Sequence, residues 1–171
     1  MSKVLLPIII SAALAAILVV PATNISKSML AYAIQSNEPS QQCKDSANKI
    51  SGKAEASQSN DVCDIELSRD SPSMELLGHS FNEFTPHEIR YGTVGHTNVL
   101  MIFEFTVLAS EINPVIKSFE DHDVTVTAIH NHWLFEHPTL YYIHGQKTGD
   151  LNTLLQDAKD ALSHTSGLSL S

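Results

Sequence analysis

The amino-acid sequence predicts an α+β domain in which helices cover one face of an antiparallel sheet. Residues 62–67 and 123–130 alternate apolar and polar side chains, which is typical of half-buried strands. From residue 98 onward the strongest segments follow the order strand, helix, strand, strand, helix. That order favours a β-α-β-β-α core, a split β-α-β arrangement of ferredoxin-like character, with both helices on one face.

The first half of the chain has weaker patterns. Residues 43–51 are expected to form a short helix that ends at Gly52, and residues 53–61, rich in Ser, Gln and Asn, are expected to form a loop. Strands are predicted over 62–67 and 73–77, and the segment 79–97, which contains Pro86, Gly92 and Gly95, is expected to be irregular.

The second half has stronger patterns. Residues 98–109 are nearly all apolar and rich in β-forming residues, which predicts a central strand with Glu104 facing outward. Ser110 is expected to cap a helix that ends near residue 121. Strands over 123–131 and 138–145 and a helix over 149–163 complete the domain. The residues expected in the core are Ile112, Val115, Ile116, Phe119, Leu151, Leu154 and Leu155.

The composition limits the possible functions. The 171 residues include 43% hydrophobic and 17% charged residues, which is enough apolar material for a folded domain. Residues 37–171 hold eight Lys and Arg against nineteen Asp and Glu, a formal net charge of −11. Because such an acidic body repels phosphate, no nucleic-acid partner is expected. No glycine-rich loop follows a predicted strand, so no nucleotide cofactor is expected either.

The N-terminal residues predict export. Lys3 is followed by seventeen uncharged residues, 4–20, a length that suits a signal peptide and is slightly short for a membrane span. We expect cleavage after Ala33, where a polar stretch begins. The alternative is an uncleaved anchor, in which case residues 4–20 would be the contact with the membrane. Both alternatives place the body outside the cytoplasm.

The chain contains two cysteines, Cys43 and Cys63. In an oxidising compartment they favour a disulfide, which would stabilise the fold by ~3 kcal/mol in the loop-entropy model. A zinc site is the alternative, although no histidine lies between or beside them. The predicted organisation is therefore a leader or anchor (1–33), a linker with a short helix carrying Cys43 (34–61), an α+β domain (62–163) and a frayed tail (164–171).

Several motifs of the second half resemble one protein family. They are the segments 111–116 and 124–132, then Glu136, Pro138, His144 and the pair Gly149-Asp150. Together they are similar to the LppY/LpqO family, a group of exported or lipid-anchored domains of unknown function. The resemblance is close over 98–163 and looser over 62–80. It implies one copy of that domain outside the cytoplasm, and it implies no established activity.

A histidine pair is the main candidate for a functional site. His130 and His132 alternate along one strand, so they share a face with Cα atoms ~6.6 Å apart. Two imidazoles so placed can chelate a divalent metal ion, with zinc as the first choice and copper or iron as alternatives. The alternative interpretation is two surface or hydrogen-bonded histidines at the end of a strand.

Further ligands are expected at the same end of the sheet. Glu111 is predicted to supply an oxygen, and Glu136, His137 and Asn113 are additional candidates. A hairpin around residues 133–137 would set His130 opposite Leu140. His144 would then lie ~13 Å away, at the opposite end of the sheet.

Three functions remain open at this point. The first is divalent-metal binding through the strand-end histidines, and a hydrolytic role would need an open coordination position. The second is a non-catalytic binding module for an unknown small molecule or envelope protein. The third is a structural accessory domain. Whether the protein is an enzyme, and on which substrate, is not predicted.

Overall fold

The structure is a computed structural model that describes residues 38–81, 86–168 and 170. The predicted leader, 1–33, lies outside the described residues. Within those ranges no helix combines the length and the apolar character needed to cross a membrane. The elements in chain order are α1 (Gln41–Ile50), β1 (Glu55–Ser59), β2 (Val62–Ser68), β3 (Met74–Leu76), β4 (His79–Phe81), β5 (Pro86–Val94), β6 (Asn98–Leu108), α2 (Ile112–Asp121), β7 (Thr125–Asn131), β8 (Glu136–His137), β9 (Leu140–Gly149) and α3 (Leu151–Leu162).

The strands form two antiparallel sheets. The larger sheet has the order β1-β2-β5-β6-β9-β7, and the smaller has the order β4-β3-β8. Strands β6 and β7 both pair antiparallel with β9, so they run parallel to each other with β9 between them. The connection from β6 to β7 contains α2, as expected for a split β-α-β unit. The predicted α+β class with an antiparallel sheet is confirmed.

The core lies between one face of the larger sheet and the helices. On β6 the buried side chains of this face include Met101, Phe103 and Phe105. They belong to one hydrophobic cluster with Phe119 of α2, Leu154 of α3 and residues of α1. We call this the helix face of the sheet. The disulfide Cys43–Cys63, with its Cα atoms 5.6 Å apart, joins α1 to β2 and confirms the predicted pairing.

The opposite face, which we call the open face, carries the alternate residues of the same strands. Leu100, Ile102 and Glu104 of β6 lie on it, exposed or half-buried. Residues directly opposite each other on neighbouring strands share a face. His144 lies opposite Glu104, and Tyr142 lies opposite Thr106, so the open face continues onto β9.

Two segments differ from their predictions. Residues 55–59, expected in a loop, form the edge strand β1, whose polar side chains give no periodic signal and whose order comes from pairing with β2. Residues 79–97, expected to be irregular, include β4 and the nine-residue strand β5 between β2 and β6. Strand β5 does alternate buried and half-buried residues. Pro86 and Gly92 obscured that alternation because both residue types usually interrupt strands.

The predicted helices are present with small changes at their ends. Asp150 caps α3, because its carboxylate accepts a hydrogen bond from the Thr153 amide. Ser110 does not cap α2; Glu111 occupies that position without a side-chain cap. The expected core is confirmed in its fully buried members, Val115, Phe119, Leu154 and Leu155. The others are partly buried against the same cluster: Ile112, Ile116 and Leu151.

A β-bulge in β7 sets the direction of its last side chains. The register with β9 shifts between Val126, which lies opposite Gly145, and Ala128, which lies opposite His144. Val126 packs against the core, whereas residues from Ala128 onward continue with the alternation reversed. A Cβ atom on Gly145 would lie 3.1 Å from the Phe119 ring, so glycine lets α2 approach the sheet here. The bulge turns His130 toward the open face.

Candidate functional site

Two histidines meet on the open face. The Nε2 atoms of His130 on β7 and His144 on β9 are 2.9 Å apart, and the rings are stacked with centroids 5.0 Å apart. The predicted position of His144, at the opposite end of the sheet, is therefore wrong. His130 lies opposite Tyr142 rather than Leu140. The register differs because the connection after β7 leaves the larger sheet and contributes β8 to the smaller one.

The outer nitrogen of each ring faces a hydrogen-bond acceptor. His130 Nδ1 is 2.8 Å from the Asn131 carbonyl oxygen, which can only accept, so Nδ1 carries the proton. His144 Nδ1 is 3.6 Å from a carboxylate oxygen of Glu104, just beyond hydrogen-bond distance. With its proton on Nδ1, the neutral His130 ring presents the lone pair of Nε2 toward His144. This lone pair can accept a hydrogen bond from His144 Nε2 or bind a metal ion.

The surroundings of the pair are negatively charged. Glu104 lies opposite His144 on one side and opposite Glu88 on the other. Burial raises the pKa of Glu88; Arg90 opposes this, and the neighbouring Glu104 and Asp64 raise it further. Burial and the charge of Glu104 also raise the pKa of Tyr142, so its phenol stays protonated. Such a potential favours a bound cation.

His132, the other predicted ligand, pairs with Glu136 instead. Its Nδ1 is 2.8 Å from Glu136 Oε2, and both side chains are buried. Glu136 Oε1 accepts a hydrogen bond from the Leu140 amide at 2.8 Å. The Trp133 ring stacks on His132 with a centroid distance of 4.1 Å. These contacts hold the loop between β7 and β9, and the histidine that contacts His130 is His144.

Glu111, predicted as an oxygen ligand, forms a buried ion pair with Arg69. The guanidinium donates to both Glu111 oxygens at 2.9 and 3.1 Å. The Leu108 amide and the amide and hydroxyl of Ser166 donate to the same carboxylate. Burial alone would raise the pKa of Glu111, but the hydrogen bonds from Arg69, Ser166 and Leu108 lower it to about 2. Its oxygens are occupied, and the Ser166 contact holds a tail segment that was expected to fray.

The remaining candidates lie apart from one another. Asn113 is exposed at the start of α2, and His137 is exposed on β8 opposite Glu75 of β3. In the part of the chain that the structure describes, no group of three or more His, Cys, Asp or Glu side chains is arranged to hold a metal ion. The site therefore consists of the two histidines, His130 and His144, with Glu104 beside them.

Sequence reasoning missed the contributions of Glu104 and Tyr142. Glu104 was expected only to face outward, and it does lie on the open face beside His144. The available signal was its position in the middle of an apolar strand, where an acid needs a partner. Identifying that partner required the register between β6 and β9, which cannot be read from the sequence alone.

Comparison with known protein families shows the family of the chain. Residues 45–164 match the family described as Domain of Unknown Function (DUF1259). The chain belongs to this family. The DUF1259 match begins within α1 and ends just after α3, so it includes the histidine pair and both sheets. No curated protein and no solved structure matches the chain.

Proposed function

We propose that this domain binds a divalent metal ion, with Nε2 of His130 and of His144 as protein ligands. The observation that carries the proposal is the 2.9 Å separation of these atoms, with each Nδ1 facing an acceptor. Two imidazole nitrogens bound to one ion at ~2.0–2.1 Å are about 2.9 Å apart at the right angle of a square-planar copper site. At the tetrahedral angle of zinc they are about 3.3 Å apart, so zinc would require the rings to separate by about 0.4 Å. The remaining coordination positions would be open to water or to an external ligand.

Glu104 supports this function as the partner of a ligand. Histidines that bind metals commonly direct their other ring nitrogen at a carboxylate or a carbonyl, which fixes the ring and raises its basicity. Glu104 stands beside His144 Nδ1, and the Asn131 carbonyl stands beside His130 Nδ1. Imidazole ligands suit zinc first, with copper and iron as alternatives. Compared with the sequence prediction, the proposal keeps His130 and replaces His132 and Glu111 by His144.

Calorimetric titration of the full chain with Zn²⁺ and with Cu²⁺ tests the proposal. We expect His130→Ala and His144→Ala each to weaken binding at least 100-fold while circular dichroism shows the fold intact. His164→Ala, which removes an exposed histidine after α3, is the matched control and should bind as the unchanged chain does. If His132→Ala abolishes binding and His144→Ala does not, the assignment of the ligands is wrong.

A second function is favoured by an aromatic row on the open face. Trp133, His132, Tyr142, His130 and His144 follow one another, with successive ring centroids 4.1, 4.9, 5.6 and 5.0 Å apart. Such a row offers ring faces and edges against which a small ring-containing molecule could pack. If the chain takes up no metal at micromolar concentrations, this binding-module function replaces the first.

We also propose that the chain is an exported protein of LppY/LpqO type. The motifs around His130 and Gly149 support the narrower family, and the Cys43–Cys63 disulfide is compatible with an extracellular location. Intact-mass measurement of the protein recovered from its cells tests the leader. A mature chain beginning at Ile34 is expected; a chain that retains residues 1–33 would show that the leader is not cleaved there.

A further inference from the structure

Two neighbouring turns display large apolar side chains to solvent. Leu77, Leu134 and Phe135 are 91%, 72% and 89% exposed, and Trp133 is 40% exposed. Leu77 follows β3 and Phe135 precedes β8; because Leu76 lies opposite Glu136 in that pairing, the two turns are adjacent. We call these four residues the apolar tip. An exposed apolar cluster of this kind usually marks a contact surface.

The protein holds the apolar tip in a defined conformation. Glu136, whose side chain is 0% exposed, accepts hydrogen bonds from the Leu140 amide, the His132 ring and the Trp133 amide. A buried, fully bonded carboxylate thus fixes a loop whose apolar residues point outward. This arrangement differs from a loose loop that exposes apolar residues by chance.

The backbone of the tip is strained, in addition to the unfavourable exposure of its apolar side chains. Leu77 and Phe135 have φ angles of +52° and +66°, in the left-handed region that residues with large side chains rarely adopt. Asn or Gly would relieve this strain and would also remove exposed apolar surface. Leu77 and Phe135 thus combine an exposed apolar side chain with a strained backbone. Such a combination is expected where a functional contact offsets its cost in free energy.

We propose that the apolar tip inserts into the interfacial layer of a bilayer of uncharged lipids. The exposure of the tip increases from Trp133 to Phe135. A bilayer accepts Leu and Phe below the headgroups with Trp at headgroup level. Residues 71–81 and 130–141 contain no Lys or Arg, so insertion relies on apolar area and not on anionic lipid. A protein partner would instead need a pocket shaped to this tip.

An uncleaved leader, the alternative to cleavage after Ala33, would favour the same bilayer partner. Residues 4–20 are seventeen uncharged residues, and the chain from 21 to 37 can extend at most ~60 Å. Any copy that retains this segment in a membrane keeps the domain within reach of the same bilayer, which raises the local concentration of the tip. Ring contacts from Trp133 through His132 and Tyr142 to His130 would then place the histidine pair near the membrane surface.

Trp133 is the single tryptophan of the chain and reports on the tip directly. We expect vesicles of phosphatidylcholine to shift the emission of the full chain to shorter wavelength, and lipids brominated in their acyl chains to quench it. The double variant Leu134→Ser/Phe135→Asn should lower the partition coefficient about tenfold or more for each side chain removed. Its Tm should be unchanged or higher, because Asn accepts a positive φ.

The variant Leu100→Ser/Ile102→Ser is the matched control, because it removes two partly exposed apolar side chains from the open face instead. It should partition as the unchanged chain does. The proposal is overturned if the chain sediments with vesicles while Trp133 emission stays constant, since the N-terminal segment alone would then bind. It is also overturned if the shift needs phosphatidylserine, or if it occurs without lipid as light scattering shows a dimer.

Discussion

The two faces of the larger sheet use charged residues in opposite ways. On the helix side, Glu111 is buried and its two oxygens accept hydrogen bonds from Arg69, Leu108 and Ser166. On the open face, Glu104 is half-exposed and its neighbour is a histidine ring nitrogen at 3.6 Å. A fully bonded buried ion pair has no capacity left for a ligand. The incompletely bonded groups of the open face keep such capacity, which is why the proposed site lies on that face.

Arg69→Met should produce the largest effect, because it removes the partner of a buried carboxylate. Arg69 donates to Glu111, the Thr106 carbonyl, the Ser71 carbonyl and the Ser166 hydroxyl. We expect the free energy of unfolding, measured in urea, to fall by about 3–5 kcal/mol. Lys53→Met is the control, because Lys53 pairs with Asp70 on the surface, and it should cost less than about 1 kcal/mol. Equal losses in both variants would contradict the contrast between buried and exposed pairs.

A second prediction concerns His87 on the helix face and acid pH. His87 is buried edge-on against Phe105, and neither ring nitrogen has a hydrogen-bond partner among the residues that the structure describes. Burial, assisted by the charge of Arg69 and opposed by Glu111, lowers its pKa from 6.5 to about 3. The unfolded chain therefore binds one more proton between these pH values, and stability falls as the pH decreases from 6.5.

The effect of His87 should reach about 2–3 kcal/mol at pH 4.5 relative to pH 7. Glu111, with its lowered pKa of about 2, adds a further loss only below pH 4.5. Urea unfolding of the unchanged chain and of His87→Phe at pH 7 and pH 4.5 separates the two groups. The variant should lose the His87 contribution to the pH dependence; an unchanged dependence would show that another group is responsible.

The smallest expected change in stability is on the open face. Glu104→Gln keeps the size of the side chain and removes its charge beside His144. We expect the free energy of unfolding to change by no more than about 0.5 kcal/mol, whereas the affinity for Zn²⁺ should fall about 10–100-fold. Unfolding in urea and calorimetric titration measure the two quantities. A large loss of stability with unchanged affinity would assign Glu104 to the fold and not to the site.

Local patterns predicted more of the fold than of the site. The strand 98–109 and the helices containing Phe119 and Leu154 were predictable, because apolar spacing of two or 3.6 residues is visible in a short window. Strand β5 was missed, since it contains Pro86 and Gly92, residue types that usually interrupt strands. The candidate site was harder to predict: the sequence paired His130 with His132, which is close in sequence, whereas the structure places His144 against His130.

Local sequence patterns predicted the α+β class, the order of the strong elements and the disulfide, and they made His130 a candidate for the site. These follow from local periodicity and from the number of cysteines, which need no knowledge of distant contacts. The tertiary structure decided that His144 meets His130, that Glu111 pairs with Arg69 and that Glu136 supports the apolar tip. Each depends on a contact between separate segments: the β7–β9 register with its bulge, the ion pair between the residue that follows β2 and the residue that precedes α2, or the pairing of β8 with β3. A shift of one residue in register turns a side chain to the other face of the sheet, so residue types alone do not specify these partners.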